Sequence, residues 1–197
     1  MLELDTDNLG IITASPEWQL YRTQLPAYGL VSVIQNLGDS VRGIELGIGI
    51  GTNSCMLLES CCNIDLLVGI DHYNEYKSWD RYVPQHEQDY KFVRIKNNIQ
   101  FLGPSFNLLR MSSTEAVFDL EDDAYDFVFI NADHAMRAVL IDLDSYWPKI
   151  KSGGIISGHN SNIFSVSFAV TSWVKRKGID PANIQMLINR AWWFRKP

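Results

Sequence analysis

Apolar residues along this chain recur in two rhythms, and the points where one yields to the other mark alternating strands and helices. Ser15-Pro16-Glu17 reads as a helix start, with Ser15 as cap and Pro16 in the first helical position. Pro26 should break or kink that helix, and a second helical stretch then places Leu30, Val33, Ile34 and Leu37 on one face before Gly38 closes it. Such leading helices either pack on a sheet edge or cover a pocket. Ile44 and Leu46 flank Glu45 in a strand, and a glycine turn leads into Cys55-Met56-Leu57-Leu58, a helix expected to end near Ser60. Residues 66–71, LLVGID, form an apolar run closed by an acid, as expected of a parallel strand buried on both faces.

No period accounts for residues 72–85, which hold Tyr73, Tyr76, Trp79, Tyr82 and Pro84; these aromatics either line a pocket or pack as a local cluster. A helix is predicted over residues 86–102, with Phe92, Ile95, Ile99 and Leu102 on one side and Gly103-Pro104 as its stop. Strands follow at residues 106–110, 126–130 and 155–158. Between the last two, a helix puts Met136, Val139, Leu140, Leu143 and Trp147 on one face. After them comes a helix with Val166, Val170, Trp173 and Val174 inward and Gly178 as its stop. Two short runs, 184–188 and 191–194, are separated by Asn189-Arg190, a link that can only join antiparallel neighbours. The class is α/β: alternating strand and helix units closed by a hairpin, without internal repeat or second domain.

Composition narrows the function. At 197 residues, with 46% hydrophobic and 20% charged residues, the chain suits one domain with a full core. A net charge of −6 disfavours nucleic acid as the main partner. No run of about 18 apolar residues is present to span a membrane. The acidic opening Met1-Leu2-Glu3-Leu4-Asp5 does not read as a signal peptide, so a cytoplasmic location is expected. Cys55, Cys61 and Cys62 fit neither a disulfide framework nor a zinc spacing and read as reduced thiols.

The chemistry concentrates at residues 43–54, GIELGIGIGTNS. Glycines there allow a tight turn and close approach of a ligand to the backbone, and the following helix start offers unpaired N–H groups. The dinucleotide fingerprint G-x-G-x-x-G is not met, because Thr52 stands at its last place and Glu45 would set negative charge beside a phosphate. A cationic or zwitterionic ligand suits the site better. Asp71, twenty residues beyond Gly51 at a strand's carboxyl end, is placed to accept both hydroxyls of a ribose. Ser112 and Ser113 end the next strand, where Ser113 could equally be a helix cap, and Asn131-Ala132-Asp133-His134 ends the one after.

Glu45-x-Gly47-x-Gly49-x-Gly51 resembles the first motif of class I S-adenosylmethionine-dependent methyltransferases. The segments YDFVFINADH, KSGGIISGHN and WWFRK, at residues 125–134, 151–160 and 192–196, are similar to the methyltransferase-24-like branch of small-molecule O-methyltransferase relatives. The resemblance implies a Rossmann-like, seven-stranded, mostly parallel sheet with a C-terminal antiparallel hairpin and helices on both faces. It further implies a helical segment at 1–40, a core at 41–197, and methyl transfer to a small-molecule acceptor, most readily an oxygen. Glu45, Gly47, Gly49 and Gly51 would hold the methionine portion, with Asn53 near the helix start. Asp71 would bind the ribose, His72 would flank the adenine, and Ser112 and Ser113 would border it. Asn131 and Asp133 would face the sulfonium.

Magnesium-using relatives carry carboxylates where this chain has Asn131, His159 and Asn160, so a magnesium site is disfavoured and no metal ligand is assigned. Without a metal a general base is required; His134, His159 and Asp133 are the candidates, in that order, although a strand-end histidine can also be purely structural. Two other readings stay open: a binding module that kept the cofactor pocket and lost the chemistry, and a nicotinamide-dependent oxidoreductase. Trp192, Trp193 and Phe194 belong to the core or to a homodimer patch, the core being the ordinary place for a terminal strand.

Overall fold

A computed structural model describes residues 15–77 and 82–197. Seven strands form one sheet in the order β5-β2-β1-β6-β7-β9-β8: β1 Val41–Leu46, β2 Ile64–Ile70, β5 Phe106–Leu109, β6 Tyr125–Ile130, β7 Ile150–Gly158, β8 Gln185–Met186 and β9 Trp192–Arg195. β5, β2, β1, β6 and β7 pair in parallel, while β9 runs antiparallel between β7 and β8. The strand order reverses beside β1, and ligands of open α/β sheets bind beyond the strand ends at such a switch point.

Alternation along the strands sorts side chains into two layers. Val41, Leu67, Phe127, Phe129 and Ile155 face one layer, covered by helices α1 Pro16–Tyr21, α2 Val31–Gln35, α3 Thr52–Ser60 and α4 Gln85–Leu102. Ile44, Leu46, Val68, Val128 and Ile156 face the other, covered by α5 Ser113–Ala116, α6 Met136–Tyr146 and α7 Phe164–Arg176. Gly43 is required where Phe127 crosses β1, since a Cβ there would fall 2.1 Å from the ring.

The leading segment packs rather than covering a pocket: Trp18, Leu30 and Ile34 are fully buried, and Ser15 caps α1 by accepting from Trp18 N. Beyond Tyr21 the chain continues in two 3-10 turns around Pro26. The aromatic segment divides. Tyr73 is fully buried, Tyr82 is exposed, and a two-residue hairpin forms from β3 Tyr76–Lys77 and β4 Tyr82–Val83; Trp79 lies outside the described residues. The buried face of α6 is Val139, Asp142, Leu143 and Tyr146, rotated from the expected stripe so that an acid occupies a core position. Trp192 and Phe194 are buried in the second layer. Cys55, Cys61 and Cys62 are free thiols.

Candidate active site

β1 ends at Leu46, and the chain then turns through three glycines in the left-handed region, Gly47 at φ +80°, Gly49 at +58° and Gly51 at +88°. A Cβ on Gly47 would stand 2.4 Å from the carbonyl oxygen of Asn131, so only glycine lets the loop lie against the end of β6. Around Gly49 nothing lies within 4 Å of such an atom. That residue instead borders a cavity of about 400 Å³.

Two residues just beyond the carboxyl end of β2 fix the loop. Asp71 Oδ2 accepts from Gly49 N at 3.0 Å and its Oδ1 accepts from Tyr73 N at 3.2 Å. Tyr73, itself at φ +51°, returns its hydroxyl to Gly49 O at 2.7 Å. Each Asp71 oxygen keeps a lone pair, and the residue borders the cavity.

Of the residues singled out from the sequence, Gly47, Gly49, Asp71 and His72 line this cavity. Ser112, Ser113, Asn131 and Asp133 line it as well. Ser112, not Ser113, is the helix cap: its side chain accepts from Glu115 N while Glu115 reaches back to Ser112 N. Ser113 instead donates to Asp142 Oδ1 at 2.7 Å.

Glu45 does not reach the cavity. Alternation on β1 turns it, with Val41 and Gly43, toward the layer under α3, where it is fully buried and Oε2 accepts from Ser54 Oγ at 2.5 Å. Burial, opposed by the Ser54 hydrogen bond, raises its pKa to about 8, and Oε1 has no hydrogen-bond partner. Gly51 is the N-cap of α3. Asn53 is buried and spends its Oδ1 on Ala27 N at 3.2 Å, tying the leading segment to α3.

The two histidines are brought together but away from the cavity. Their ring centroids are 6.4 Å apart, edge to face, and the Asn160 amide nitrogen lies 3.0 Å from His134 Nε2. His159 is fixed by its backbone, with its N donating to Ile130 O and its O accepting from Trp192 Nε1 at 3.1 Å each. Burial first, and His134 second, lower its pKa to about 4. It is a weak base at neutral pH, so Asp133 is the candidate on the cavity wall.

Sequence reasoning missed Asp142. Only 4% exposed, with a pKa raised to about 6 by burial, it lines the cavity behind Ser113. The signal was present as an acid three residues after Val139 and one before Leu143, inside a helical core stripe. Also missed was a second cavity of about 820 Å³ that shares Gly47, Gly49 and Asn131 with the first and is bounded across by α4.

The family model described as methyltransferase domain, Methyltransf_24, matches residues 44–161, and the chain belongs to that family. Residues 44–161 are thus a methyltransferase domain, of a family that uses S-adenosylmethionine as donor and leaves S-adenosylhomocysteine as product. The chain is 24% identical over 129 residues to the uncharacterized protein y4gI of Sinorhizobium fredii, which covers 64% of this chain and 13% of that much longer relative. Among solved structures it is similar to the O-methyltransferase NovP, at a TM-score of 0.59 and 12% identity over 91% of this chain and 79% of that one. It is also similar to precorrin-6y C5,15-methyltransferase of Geobacter metallireducens, at a TM-score of 0.55 and 19% identity over 76% and 70% of the two chains. At these identities the likenesses establish the fold.

The wall suits the donor. Gly49 leaves open the space a side chain would take, Asp71 keeps acceptor capacity for hydroxyls, and Asp142 presents a buried carboxylate beside Ser113. Among the described residues no helix is long and apolar enough to cross a membrane.

Proposed function

We propose that the described residues act as one catalytic domain that methylates an oxygen of a small-molecule acceptor. The observation that carries this reading is the cavity at the strand ends where the open backbone of Gly49, the carboxylate of Asp71 and the strand-end residues Asn131 and Asp133 meet.

When bound, S-adenosylmethionine supplies a methyl carbon on a positively charged sulfur, which keeps the carbon–sulfur electron pair as the product forms. Asp71 would hold the ribose hydroxyls, and Asp142, with Ser113 on one oxygen, would take the adenine amino group on the other. The glycine loop lets the methionine portion lie against backbone. Held together at the strand ends, the reactants need no further search for each other, which is where much of the acceleration arises.

Asp133 would receive the acceptor's hydroxyl proton. Its Oδ1 is steadied by Ala135 N at 2.9 Å, and it stands two residues from Asn131 on the same cavity wall. His134 and His159 would act only by supporting this strand end.

Titration calorimetry with S-adenosylhomocysteine, followed by a panel of hydroxylated and aminated acceptors assayed for S-adenosylhomocysteine release, tests the reading. Binding with turnover on hydroxyl acceptors is expected. Binding without turnover across the panel would favour a module that kept the pocket alone, and turnover confined to amines would overturn oxygen as the target.

A further inference from the structure

The first turns of α4 are locked to the strand end that shapes the glycine loop. Gln85 donates Nε2 to Tyr73 O at 3.0 Å and to Asp89 Oδ1 at 2.9 Å, and its Oε1 accepts from Glu75 N at 2.9 Å. Tyr73 in turn holds Gly49 O, so one relay sets the helix against the loop. Gln88, a turn further on, is only 3% exposed and lines the donor cavity, and its side-chain amide has no hydrogen-bond partner among the described residues. Buried amides ordinarily have such partners, and one that opens on a cavity without them is equipped for a ligand. Lys91 follows three residues later, half-buried on the same wall and without an ion pair among the described residues. It also borders the second cavity, and because Gly47, Gly49 and Asn131 are what the two cavities share with it, Lys91 stands at the glycine-loop end.

The donor's methionine portion ends in an ammonium and a carboxylate. Glu45, the acid beside the glycines, is turned away under α3 and meets neither. We propose that Gln88 and Lys91 read this end of the donor: Lys91 pairs with the carboxylate, and Gln88 presents its amide oxygen to the ammonium. The inference rests on the methyl-transfer reading, which lays the methionine portion on the glycine loop. A shorter adenosine thioether fills the ribose and adenine regions but offers these two groups nothing, so the pair makes the site select the complete donor. A site built to hydrogen-bond a ligand group discriminates strongly against analogues that lack it.

The test is calorimetric titration with S-adenosylhomocysteine, its decarboxylated form 5′-deoxy-5′-(3-aminopropylthio)adenosine, and 5′-methylthioadenosine, which lacks the amino acid altogether. The unaltered protein should bind them in that order of decreasing affinity, the first and last differing by about 100-fold. Lys91→Met should weaken S-adenosylhomocysteine by about tenfold and leave the other two ligands within about twofold. Lys91→Arg, which keeps the charge, should restore most of that loss. Gln88→Met should weaken S-adenosylhomocysteine and the aminopropyl thioether by about tenfold each and spare methylthioadenosine. Substitutions that weaken all three ligands alike, or none of them, would overturn the proposal, since a role in packing alone moves methylthioadenosine as well. Equal affinity of the unaltered protein for all three would sink the inference and leave the methyl-transfer reading standing. Binding of none of the three would bring down that reading and the inference with it.

Discussion

The hydroxyl of Tyr73 donates to the carbonyl oxygen of Gly49 at 2.7 Å, from a ring with no exposed surface. Together with Asp71 on the Gly49 N–H, this holds both backbone polar groups of one residue of the glycine loop. The loop is thereby shaped before any ligand arrives.

Tyr73→Phe keeps the ring and removes the grip. A buried carbonyl left without its donor costs about 1–3 kcal/mol. Chemical denaturation should show a loss in that range, and calorimetry should show weaker S-adenosylhomocysteine binding. Unchanged binding would mean the loop is shaped by Asp71 alone.

Asp71→Asn retains size and one acceptor but removes the charge. Loss of charge-assisted bonds worth about 1.5–3 kcal/mol should weaken S-adenosylhomocysteine by roughly 10- to 100-fold. Homocysteine, which has no ribose, should discriminate far less between the two proteins.

Glu45 ties stability to pH. Its folded pKa of about 8 lies above the ordinary 4.5, so between those values the folded chain holds the proton more tightly than the unfolded one. This contribution is fully present below pH 4.5 and is lost as pH rises toward about 8. Glu45→Gln should remove a decline on the order of 3–5 kcal/mol across that window. Parallel urea titrations of the two proteins from pH 5 to pH 9 measure it, and matching slopes would refute the assignment.

Asp133 and His159 should separate in kinetics. Asp133→Asn is expected to lower kcat by roughly 100-fold or more, the usual scale of a lost general base. His159→Gln should leave the neutral-pH profile in place. The depressed His159 pKa should appear as an imidazole proton that does not titrate by NMR until the pH nears 4. Because the unfolded histidine binds its proton first, His159 should withdraw stability as pH falls from about 6.5 toward 4.

The parallel core of the fold was readable because apolar runs such as 66–71 and 126–130 end in polar residues that mark the strand tips, and the structure puts β2 and β6 there. That Gly47, Gly49, Asp71 and Asn131 come together at those tips was legible for the same reason. Glu45 was misplaced because motif reading takes an acid near glycines as a ligand, whereas the period-two rule applied to Ile44 and Leu46 turns it under α3. The histidines ended adjacent strands as expected, but whether such side chains face a cavity depends on how Asn160 and Trp192 hold them, which spacing does not encode. The second cavity arises from α4 standing across from the glycine loop, a long-range relation beyond any local pattern.

β9 lies inside the sheet, antiparallel to β7 on one side and to the two-residue β8 on the other. An incompletely synthesised chain that has not yet delivered Trp192 to Arg195 therefore exposes the long β7 edge, with its backbone donors and acceptors open to any neighbouring strand. Self-association of such nascent or truncated chains is the hazard built into this topology, and chaperone dependence during translation is where it should be felt.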